Sequence, residues 1–406
     1  MYLTFAWRYF KAKKTTNAIN IISWITTAVI AFSTMCQVLV LSVFNGFEDL
    51  VKSLYANFYT DIRIIPKTGK TIFLNTSQLK AIQETNGIYG ISKVIEEKAL
   101  LQNGELQTVV LLKGVDNNYT EISGVSQKIM RGKYDLGTGD KPMLILGVGI
   151  ENALAVEADK TLMPLTIFLP KRNISNASDP ESSITEGNAY TSGTFAIQQD
   201  FDNKYVITNI DFIKSQMNYK DDELTALEIK LQDPNKSDAV LQSLRKTLGP
   251  NYLVQTRYEQ NSTLYSSMEL EKWAVFAILT LILIIAAFNM VSALTMLVLE
   301  KGKDIAVLRA MGAEKSLILK IFMSEGMILA GIGSVIGVSL ALIISFLQIK
   351  YKFIKLQGNS FLIDYFPIKF VLSDFIFVSV TAFIISAIAS YLPARKASRQ
   401  SFTLRN

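Results

Sequence analysis

Four long stretches without a charged residue limit what this chain can fold into more than any other feature of its sequence. Each reaches or exceeds the roughly 20 apolar residues that a helix needs to cross a bilayer core of about 30 Å, whereas a buried helix of a soluble protein reaches about 14. The sequence therefore predicts an integral membrane protein with four transmembrane helices. The stretches are 15–47, 273–299, 326–349 and 375–394.

A polar stretch, 48–271, lies between the first two of these segments. It is long enough to fold around a core of its own. It holds 23 Lys and Arg against 29 Asp and Glu, a net charge of −6; because the whole chain is +6, the rest carries +12. Basic residues are therefore concentrated beside the membrane segments, and we expect no nucleic-acid partner.

The Lys and Arg residues beside the membrane segments predict the orientation of the chain. They are concentrated in the N-terminal arm, in the loop after the second segment and in the C-terminal tail, which four crossings put on one side. The short loop 349–371 also contains four Lys, which weakens this bias without reversing it. By the positive-inside rule both termini are cytoplasmic and 48–271 lies outside, since long segments translocate largely regardless of charge.

These patterns divide the chain into successive parts. Aromatic and basic residues in "MYLTFAWRYFKAKK" suit the headgroup region, and the uncharged run that follows is too long for a cleavable signal. The predicted parts are an interfacial amphipathic segment (1–17), a first span (18–47), the inserted domain (48–271), a second span (272–299), a cytoplasmic helix and loop (300–320), a third span (321–348), a short outer loop (349–371), a fourth span (372–394) and a cytoplasmic tail (395–406).

The inserted domain is predicted to be α+β with two lobes, which makes the fold class a helical membrane protein with a large extracytoplasmic domain. "DIRIIP" and "LTALEIKLQ" read as strands, and "TSQLKAIQETNG" and "SDAVLQSLRKTLG" read as helices with end signals. "GISKVIEEKALLQ" and "LQTVVLLKGV" read as a hairpin around the turn Asn103-Gly104. Similar units thus occur at both ends of the domain, with a more β-rich middle between them.

Stiff helices are predicted at both entrances to this domain. Residues 258–300 contain no Gly or Pro, and a helix of that length would be roughly 60 Å long, about twice the hydrocarbon thickness. After Gly46, "FEDLVKSLY" keeps a helical period. The alternative is a break at Gly46 or near Asn261, which would leave flexible linkers.

The stretch 171–192 is rich in Asn, Ser, Asp and Gly and has almost no apolar residues. It predicts an exposed loop or an extended hairpin. Long ordered loops are often functional, and a disordered insert is the alternative.

The residues that catalysis or metal binding would need are missing. "KTGKT" resembles a phosphate loop, but the required first Gly is replaced by Ile64. His is absent and Cys36 is the single cysteine, so no His-based triad, internal disulfide or Cys/His metal cluster can form. We therefore expect a chain that is not an enzyme and binds no cofactor itself.

An ion or proton path would need ionisable residues within the spans. Only Glu325 approaches a span, near the cytoplasmic start of the third. Glu325 either reaches the surface or pairs with a nearby Lys, or it is a structural tie that holds the cytoplasmic loop to the bundle. Gly333 and Gly337, with Gly331 nearby, permit close packing of the third span.

The segment "LEKGKDIAVLRAMGAEKS" lies between the second and third spans. On a helix, Ile305, Leu308 and Met311 or Gly312 share one face, with charged residues around them, and Gly312 can end the helix. One interpretation is a short amphipathic helix at the membrane surface. The other is a docking element, in which an apolar ridge with charged flanks fits a groove on a partner protein.

This segment resembles a known family. "EKGKDIAVLRAMGAEKSLILKIFMSEG", a Gly-rich span and "YLPARKASRQSFTLR" are similar to the MacB/FtsX-type ABC transporter permeases. "AINIISWITTAVIAFSTMCQVLVLSVFNGFEDLV" and "LILGVGIENALAV" resemble, more closely, the LolC/LolE-type permeases of the bacterial lipoprotein-releasing system. The likeness covers nearly the whole chain and is weakest in the middle of the inserted domain.

The resemblance implies a permease subunit in the bacterial inner membrane, with its inserted domain in the periplasm. It implies a dimer with a second permease copy, and a separate cytoplasmic ATPase dimer that supplies ATP and Mg. Lipoproteins would enter from the membrane lipids and pass to a periplasmic carrier. It makes 300–313 the ATPase-coupling helix and puts a carrier-binding hook at about the polar stretch 171–192. The coupling residues are Glu300, Lys301, Lys303, Asp304, Ile305, Leu308, Arg309, Met311 and Gly312, and those of the hook are Lys171, Arg172, Pro180 and Glu181.

Two other functions remain open at this stage. A MacB-like permease would export peptides or toxins, although the best-known form carries a fused ATPase domain. An FtsX-like permease would move nothing and would activate a periplasmic hydrolase, although its outer domain is generally smaller.

Overall fold

The computed structural model describes residues 17–160, 163–171, 184–356 and 363–399. The chain divides into two units, which we call the helical unit and the inserted domain. The helical unit comprises Met1–Leu50, Ser266–Gln357 and Ile363–Asn406, and the inserted domain is Val51–Tyr265.

The secondary structure alternates between short elements in the inserted domain and long helices elsewhere. The helices are α1 Asn17–Phe58, α2 Thr76–Gln83, α3 Tyr119–Ile122, α4 Val148–Ala153, α5 Gln199–Asp202, α6 Ile210–Met217, α7 Ser237–Leu248, α8 Arg257–Gln260, α9 Ser262–Glu300, α10 Gly302–Ala310, α11 Lys315–Tyr351 and α12 Leu372–Arg399. The strands are β1 Ile62–Pro66, β2 Ile72–Phe73, β3 Ile88–Asn103, β4 Leu106–Val115, β5 Ile129–Gly132, β6 Met143–Gly147, β7 Leu165–Pro170, β8 Ile184–Phe195, β9 Tyr205–Asn209, β10 Glu223–Leu224, β11 Ala226–Leu231 and β12 Tyr252–Thr256.

Four helices of the described residues, α1, α9, α11 and α12, are long and apolar enough to cross a membrane. This confirms the predicted number of spans. Each helix is longer than its predicted span, because the helical backbone continues into polar residues at one or both ends. For example, α11 covers Lys315–Tyr351 where the sequence predicted 321–348.

Small residues bring α11 close to α1 inside the helical unit. A Cβ at Gly333 would lie 2.9 Å from Cγ2 of Ile30, and one at Gly337 would collide with the carbonyl oxygen of Ala31. Such close approach favours van der Waals contact, which is a main source of helix association in lipid. Gly331 does not take part, since its Cβ would lie 3.5 Å from the ring of Phe383 on α12.

Helix α1 does not break at Gly46, so that alternative is wrong. Gly46 lies within the continuous helix Asn17–Phe58. A side chain there would collide with the carbonyl group of Pro367, in the segment before α12. Glycine is therefore required at this position by the close approach of another backbone, and not by a bend in the helix.

The predicted helix 258–300 is interrupted near its beginning. Thr256 caps the one-turn helix α8, and Asn261, with φ −128° and ψ 34°, separates it from α9. The break near Asn261 is therefore real. From Ser262 onward the chain forms one helix of 39 residues, which is roughly 58 Å long at 1.5 Å per residue.

The inserted domain is α+β, as predicted, and its main sheet is one continuous path of paired strands. Their order is β12-β1-β11-β3-β4-β9-β6-β8-β5, and β7 pairs with both β3 and β8. The predicted hairpin is β3–β4, closed where Asn103 pairs with Leu106. Strands from the two ends of the domain sequence (β1, β11 and β12) lie together, and the middle supplies β5 to β9. The two predicted lobes thus share a sheet.

The polar stretch 171–192 is only partly a loop. Its second half belongs to β8, which pairs antiparallel with β7 from Leu165↔Ala189 to Pro170↔Ile184. Ala189 is fully buried in the main core, so this half of the stretch is not an exposed loop. The alternation of small residues that face the core with exposed polar ones explains why composition alone suggested a loop.

A second core in the inserted domain contains the last turns of α1. Its members include Tyr55 and Phe58 of α1 with Phe201 and Tyr205. The rings of Phe58 and Phe201 stack with centroids 4.4 Å apart, and the Tyr205 ring is 4.5 Å from Phe58. Such ring pairs stabilise by about 0.5–1.5 kcal/mol beyond their buried area. The end of α1 is therefore an integral part of the inserted domain.

We predict that Gly337→Ala lowers the stability of the helical unit by about 1–3 kcal/mol, because its methyl group has no room beside the Ala31 carbonyl. The measurement is thermal unfolding of the full chain in detergent micelles. Gly331→Ala is the matched control, since its new Cβ would meet only an ordinary contact. Equal melting temperatures for the two variants would contradict the role given to Gly337.

Candidate functional site

The loop between α9 and α11 is a compact helix with a defined end. Helix α10 ends at Ala310, and Gly312, whose φ of +90° favours glycine, follows directly after the capping residue Met311. The Gly312 amide donates to the Arg309 carbonyl at 2.9 Å and the Ala313 amide to the Leu308 carbonyl at 3.0 Å. This pair of bonds is a Schellman motif. The prediction that Gly312 ends the helix is confirmed.

The face of α10 that packs on the bundle differs from the predicted ridge. Ile305 is only 1% exposed and belongs to a cluster with Leu297, Ile318 and Phe322. Ile305 therefore cannot be part of an outward apolar ridge, and that part of the prediction is wrong. Leu308 is half-buried. The exposed apolar side chains are Met311, at 79% exposure, and Val307, which the sequence did not single out, at 47%.

The charged residues of α10 are partly used within the chain. The Lys301 ammonium lies 3.3 Å from the Asp304 carboxylate. The Arg309 guanidinium donates to the backbone carbonyl of Ser398 near the end of α12. Lys303 is exposed and Glu300 is half-buried. Arg309 therefore ties α10 to α12, whereas Lys303 stays exposed.

Glu325 lies inside the helical unit, with 2% of its surface exposed. It therefore does not reach the surface, and that alternative is wrong. The next residue, Gly326, would place a Cβ 2.5 Å from the Cβ of Ser390 on α12. Close packing of α11 on α12 thus surrounds this position, and the structural tie remains a prediction.

The proposed hook falls mostly outside the described residues. Lys171 is exposed directly after β7, whereas Arg172, Pro180 and Glu181 are outside the described ranges. The β7–β8 pairing continues as far as Pro170↔Ile184. The two ends of the insert therefore lie next to each other at the end of a strand pair.

A polar cluster joins three of the long helices and was not foreseen. The Asn45 amide of α1 donates to the Asp374 carboxylate of α12 at 2.7 Å, and the Lys272 ammonium of α9 donates to the Asn45 carbonyl oxygen at 2.7 Å. Lys272 also lies 3.3 Å from Asp374. Lys272 and Asp374 stand just outside uncharged stretches, which is the signal that could have paired them.

Four charged residues form a buried network in the inserted domain, also unforeseen. Lys113 lies 2.8 Å from Glu228 and 3.6 Å from Glu96, and Arg63 lies 2.5 Å from Glu96. The strand pairing explains this, because Arg63 is opposite Glu228 and Glu96 is opposite Lys113. Two cations and two anions make the network neutral, as buried charges require.

The network keeps Glu96 and Lys113 charged near neutral pH. Burial by itself raises the pKa of Glu96, but Arg63 and Lys113 lower it more, so the net pKa is below its usual value. Burial by itself lowers the pKa of Lys113, but Glu228, Tyr119 and Glu96 raise it to a net value above the usual one. The stability from Glu96 is thus present above its unfolded pKa of about 4.3 and lost as pH falls, and that from Lys113 is present below about 10.4 and lost as pH rises.

Lys113 also connects the network to α1. Its ammonium lies 4.8 Å from the ring centroids of both Phe58 and Tyr119. A desolvated cation over an aromatic face is attracted by about 2 kcal/mol. Burial raises the pKa of Tyr119 to about 12, so its ring stays neutral. The last residue of α1 is thus held by a charged side chain of the sheet.

The chain matches known proteins in both of its parts. Residues 276–402 match the family described as "FtsX-like permease C-terminal". The lipoprotein-releasing system transmembrane protein LolC of Neisseria meningitidis is 29% identical, over 97% of this chain and 95% of that protein. The corresponding LolE of Haemophilus influenzae is 27% identical, over 97% and 96%.

Among solved structures, the periplasmic region of MacB from Actinobacillus actinomycetemcomitans is 12% identical with a TM-score of 0.36, covering 54% of this chain and 98% of that one. The extracellular domain of the transporter YknZ from Gram-positive bacteria is 10% identical with a TM-score of 0.33, covering 48% and 99%.

Four helices long and apolar enough to span a membrane, with an α+β domain between the first two, accompany the match of residues 276–402 to the FtsX-like permease C-terminal family. Over 97% of its length the chain is similar to the LolC and LolE transmembrane proteins of lipoprotein-releasing systems.

We predict that Glu228→Gln lowers the unfolding free energy of the inserted domain by about 3–5 kcal/mol, because it leaves Lys113 buried beside a neutral amide. Pulse proteolysis of the full chain in urea and detergent measures this. The control is Glu105→Gln, at an exposed position beyond Gly104. A loss below about 1 kcal/mol would mean that Lys113 is satisfied without Glu228.

Proposed function

We propose that this chain is the permease subunit that extracts lipid-anchored proteins from the outer leaflet of the bacterial inner membrane and passes them to a periplasmic carrier. A separate ATPase would drive this work. The observation that carries the proposal is similarity over 97% of the chain to relatives named for a lipoprotein-releasing system. A match of this extent includes the inserted domain as well as the spans.

The proposed arrangement has both termini and α10 in the cytoplasm and the inserted domain in the periplasm. The distribution of Lys and Arg supports it. Two permease copies, identical or different, would face each other and bind an ATPase dimer, which would supply ATP and Mg. Lipoproteins would enter between the permeases.

The cargo explains why an energy source is needed. Exposing an acyl chain to water costs about 0.8 kcal/mol per CH₂, so a lipid anchor of several chains does not leave the membrane unaided. A receiving carrier with an apolar cavity would recover most of that cost. Release and hand-over must therefore be coupled, which suits a subunit with a large domain between its spans.

The proposed path for the motion begins at α10. Ile305 packs into the cluster with Leu297 of α9 and Phe322 of α11, and Arg309 binds the Ser398 carbonyl of α12. A push on α10 is therefore passed to three long helices at once. The proposed ATPase contact is the exposed side of α10, with Val307, Met311 and Lys303.

Depletion of this protein in its own cells tests the function. We expect outer-membrane lipoproteins to accumulate in the inner membrane, because their anchors are no longer extracted. Membrane fractionation and immunoblotting measure their location. Lipoproteins resident in the inner membrane and an outer-membrane β-barrel protein are the controls and should not move. Normal arrival of lipoproteins at the outer membrane would overturn the proposal.

Met311→Glu combined with Val307→Glu tests the docking surface. We expect at least a tenfold loss of the ABC ATPase that co-purifies with the tagged chain, because two charges replace the exposed apolar contacts. Phe353→Glu, at a residue 54% exposed after the far end of α11, is the matched control. Arg309→Glu is less informative, since it also breaks the bond to Ser398. Undiminished co-purification with the double variant would place the ATPase elsewhere.

A further inference from the structure

A groove lies between α9 and α12, where α9 nears its C-terminal end and α12 also ends. Its volume is about 490 Å³, and it is lined by Val291, Thr295, Leu392, Pro393, Arg395, Lys396 and Arg399. All these residues belong to the helical unit. None of them takes part in the predicted coupling surface or in the polar cluster around Asn45.

The lining separates into an apolar wall and a cationic rim. Val291, Leu392 and Pro393 form the wall, and Arg395 and Lys396, with Arg399 one turn further on, form the rim. The three cations are exposed, and no carboxylate in the described part of the chain lies within ion-pair distance of them. The hydroxyl of Thr295 donates to the Val291 carbonyl of its own helix at 2.7 Å. The cations alone are therefore available to an anionic ligand.

The surface beside the groove is strongly apolar. Leu392, at the groove itself, is 65% exposed, and Phe288 and Ile388, further along the same helices, are both 67% exposed. Such side chains face lipid tails in a spanning helix. A ligand whose charged end binds the rim would thus have its apolar part beside this surface. A soluble anion could bind the cationic rim but has no apolar part to contact the surface beside it.

The geometry points to a binding site for an anionic phospholipid, with its phosphodiester on Arg395, Lys396 and Arg399 and its acyl chains along Leu392, Ile388 and Phe288. Basic pockets between transmembrane helices on the cytoplasmic side are suited to such headgroups. The site rests on the proposed orientation, which puts this end of the bundle in the cytoplasmic leaflet. It does not depend on the cargo or on the ATPase.

The proposed lipid site lies next to the contact between α12 and α10. Arg399 directly follows Ser398, whose carbonyl accepts the hydrogen bond from Arg309. A lipid held at Arg399 steadies the end of α12 on which α10 rests. Anionic lipid would then stiffen the connection between α10 and the long helices.

The test measures lipid binding by the full chain, purified in detergent without partners, by native mass spectrometry. Phosphatidylglycerol and phosphatidylethanolamine with the same acyl chains are the probes. We expect about tenfold preference for phosphatidylglycerol, which Lys396→Gln with Arg399→Gln abolishes. The control, Lys315→Gln with Lys320→Gln, removes the same charge from exposed positions at the same end of the bundle and should keep the preference within about twofold.

A second variant tests the shape of the groove while leaving its three cations in place. Thr295→Phe fills the space between the helices and keeps all three cations, so we expect it to lose the preference as well. Retention of the preference by Thr295→Phe or by the double Gln variant would overturn the proposal. So would an equal loss in the Lys315/Lys320 control, which would indicate diffuse attraction.

Two further outcomes would assign the groove to another ligand. Competition by inorganic phosphate at the same concentration would mean a site for free anions. Loss of bound phosphatidylglycerol when the chain assembles with its ATPase or second permease would mean a protein interface. Because binding is measured without transport, failure here leaves the lipoprotein-release proposal standing, and failure of that proposal leaves this one standing.

Discussion

The close approach of α11 to α1 is the contact on which the helical unit depends. In lipid there is no hydrophobic force between helices, so association relies on packing at short distance. Gly333 and Gly337 provide it by leaving the backbone carbonyls of Thr27 and Ala31 in contact range. Helix α1 continues beyond this contact, and its last turns belong to the second core of the inserted domain. The packing against α11 therefore holds the membrane part of a helix that also belongs to that domain.

The buried network of the inserted domain and the polar cluster of the helical unit handle charge in different ways, which reflects their surroundings. In the inserted domain, Lys113 and Glu228 are both 1% exposed and are tolerated because Arg63 and Glu96 complete a neutral set. A charge in the hydrocarbon interior is costly. Lys272 and Asp374 of the helical unit therefore lie beyond the uncharged stretches, where their side chains remain 27% and 13% exposed. The first arrangement stabilises one sheet geometry, and the second joins helices α1, α9 and α12.

The features that the sequence predicted correctly depend on local patterns. The spans follow from uncharged length, the β3–β4 hairpin from Asn103-Gly104, and the end of α10 from Gly312. The failures concern long-range partners. Ile305, Val307 and Leu308 are all apolar, and only packing against Leu297 and Phe322 decides which one faces inward. Lys113 and Glu228 are separated by 115 positions, so nothing in either segment marked them as a buried pair.

The inward burial of Ile305 changes how α10 would transmit force in the proposed mechanism. A helix held only by an apolar ridge on a partner would move independently of the bundle. Here α10 is fixed to its own chain by the Ile305 cluster, by the Arg309–Ser398 bond and by the Gly312 cap. The apolar surface that α10 leaves exposed is correspondingly small, mainly Met311 and Val307. In the proposed mechanism the ATPase contact would therefore be modest, because stiffness would be supplied within this chain, and anything that loosens the end of α12 would weaken transmission even with docking intact.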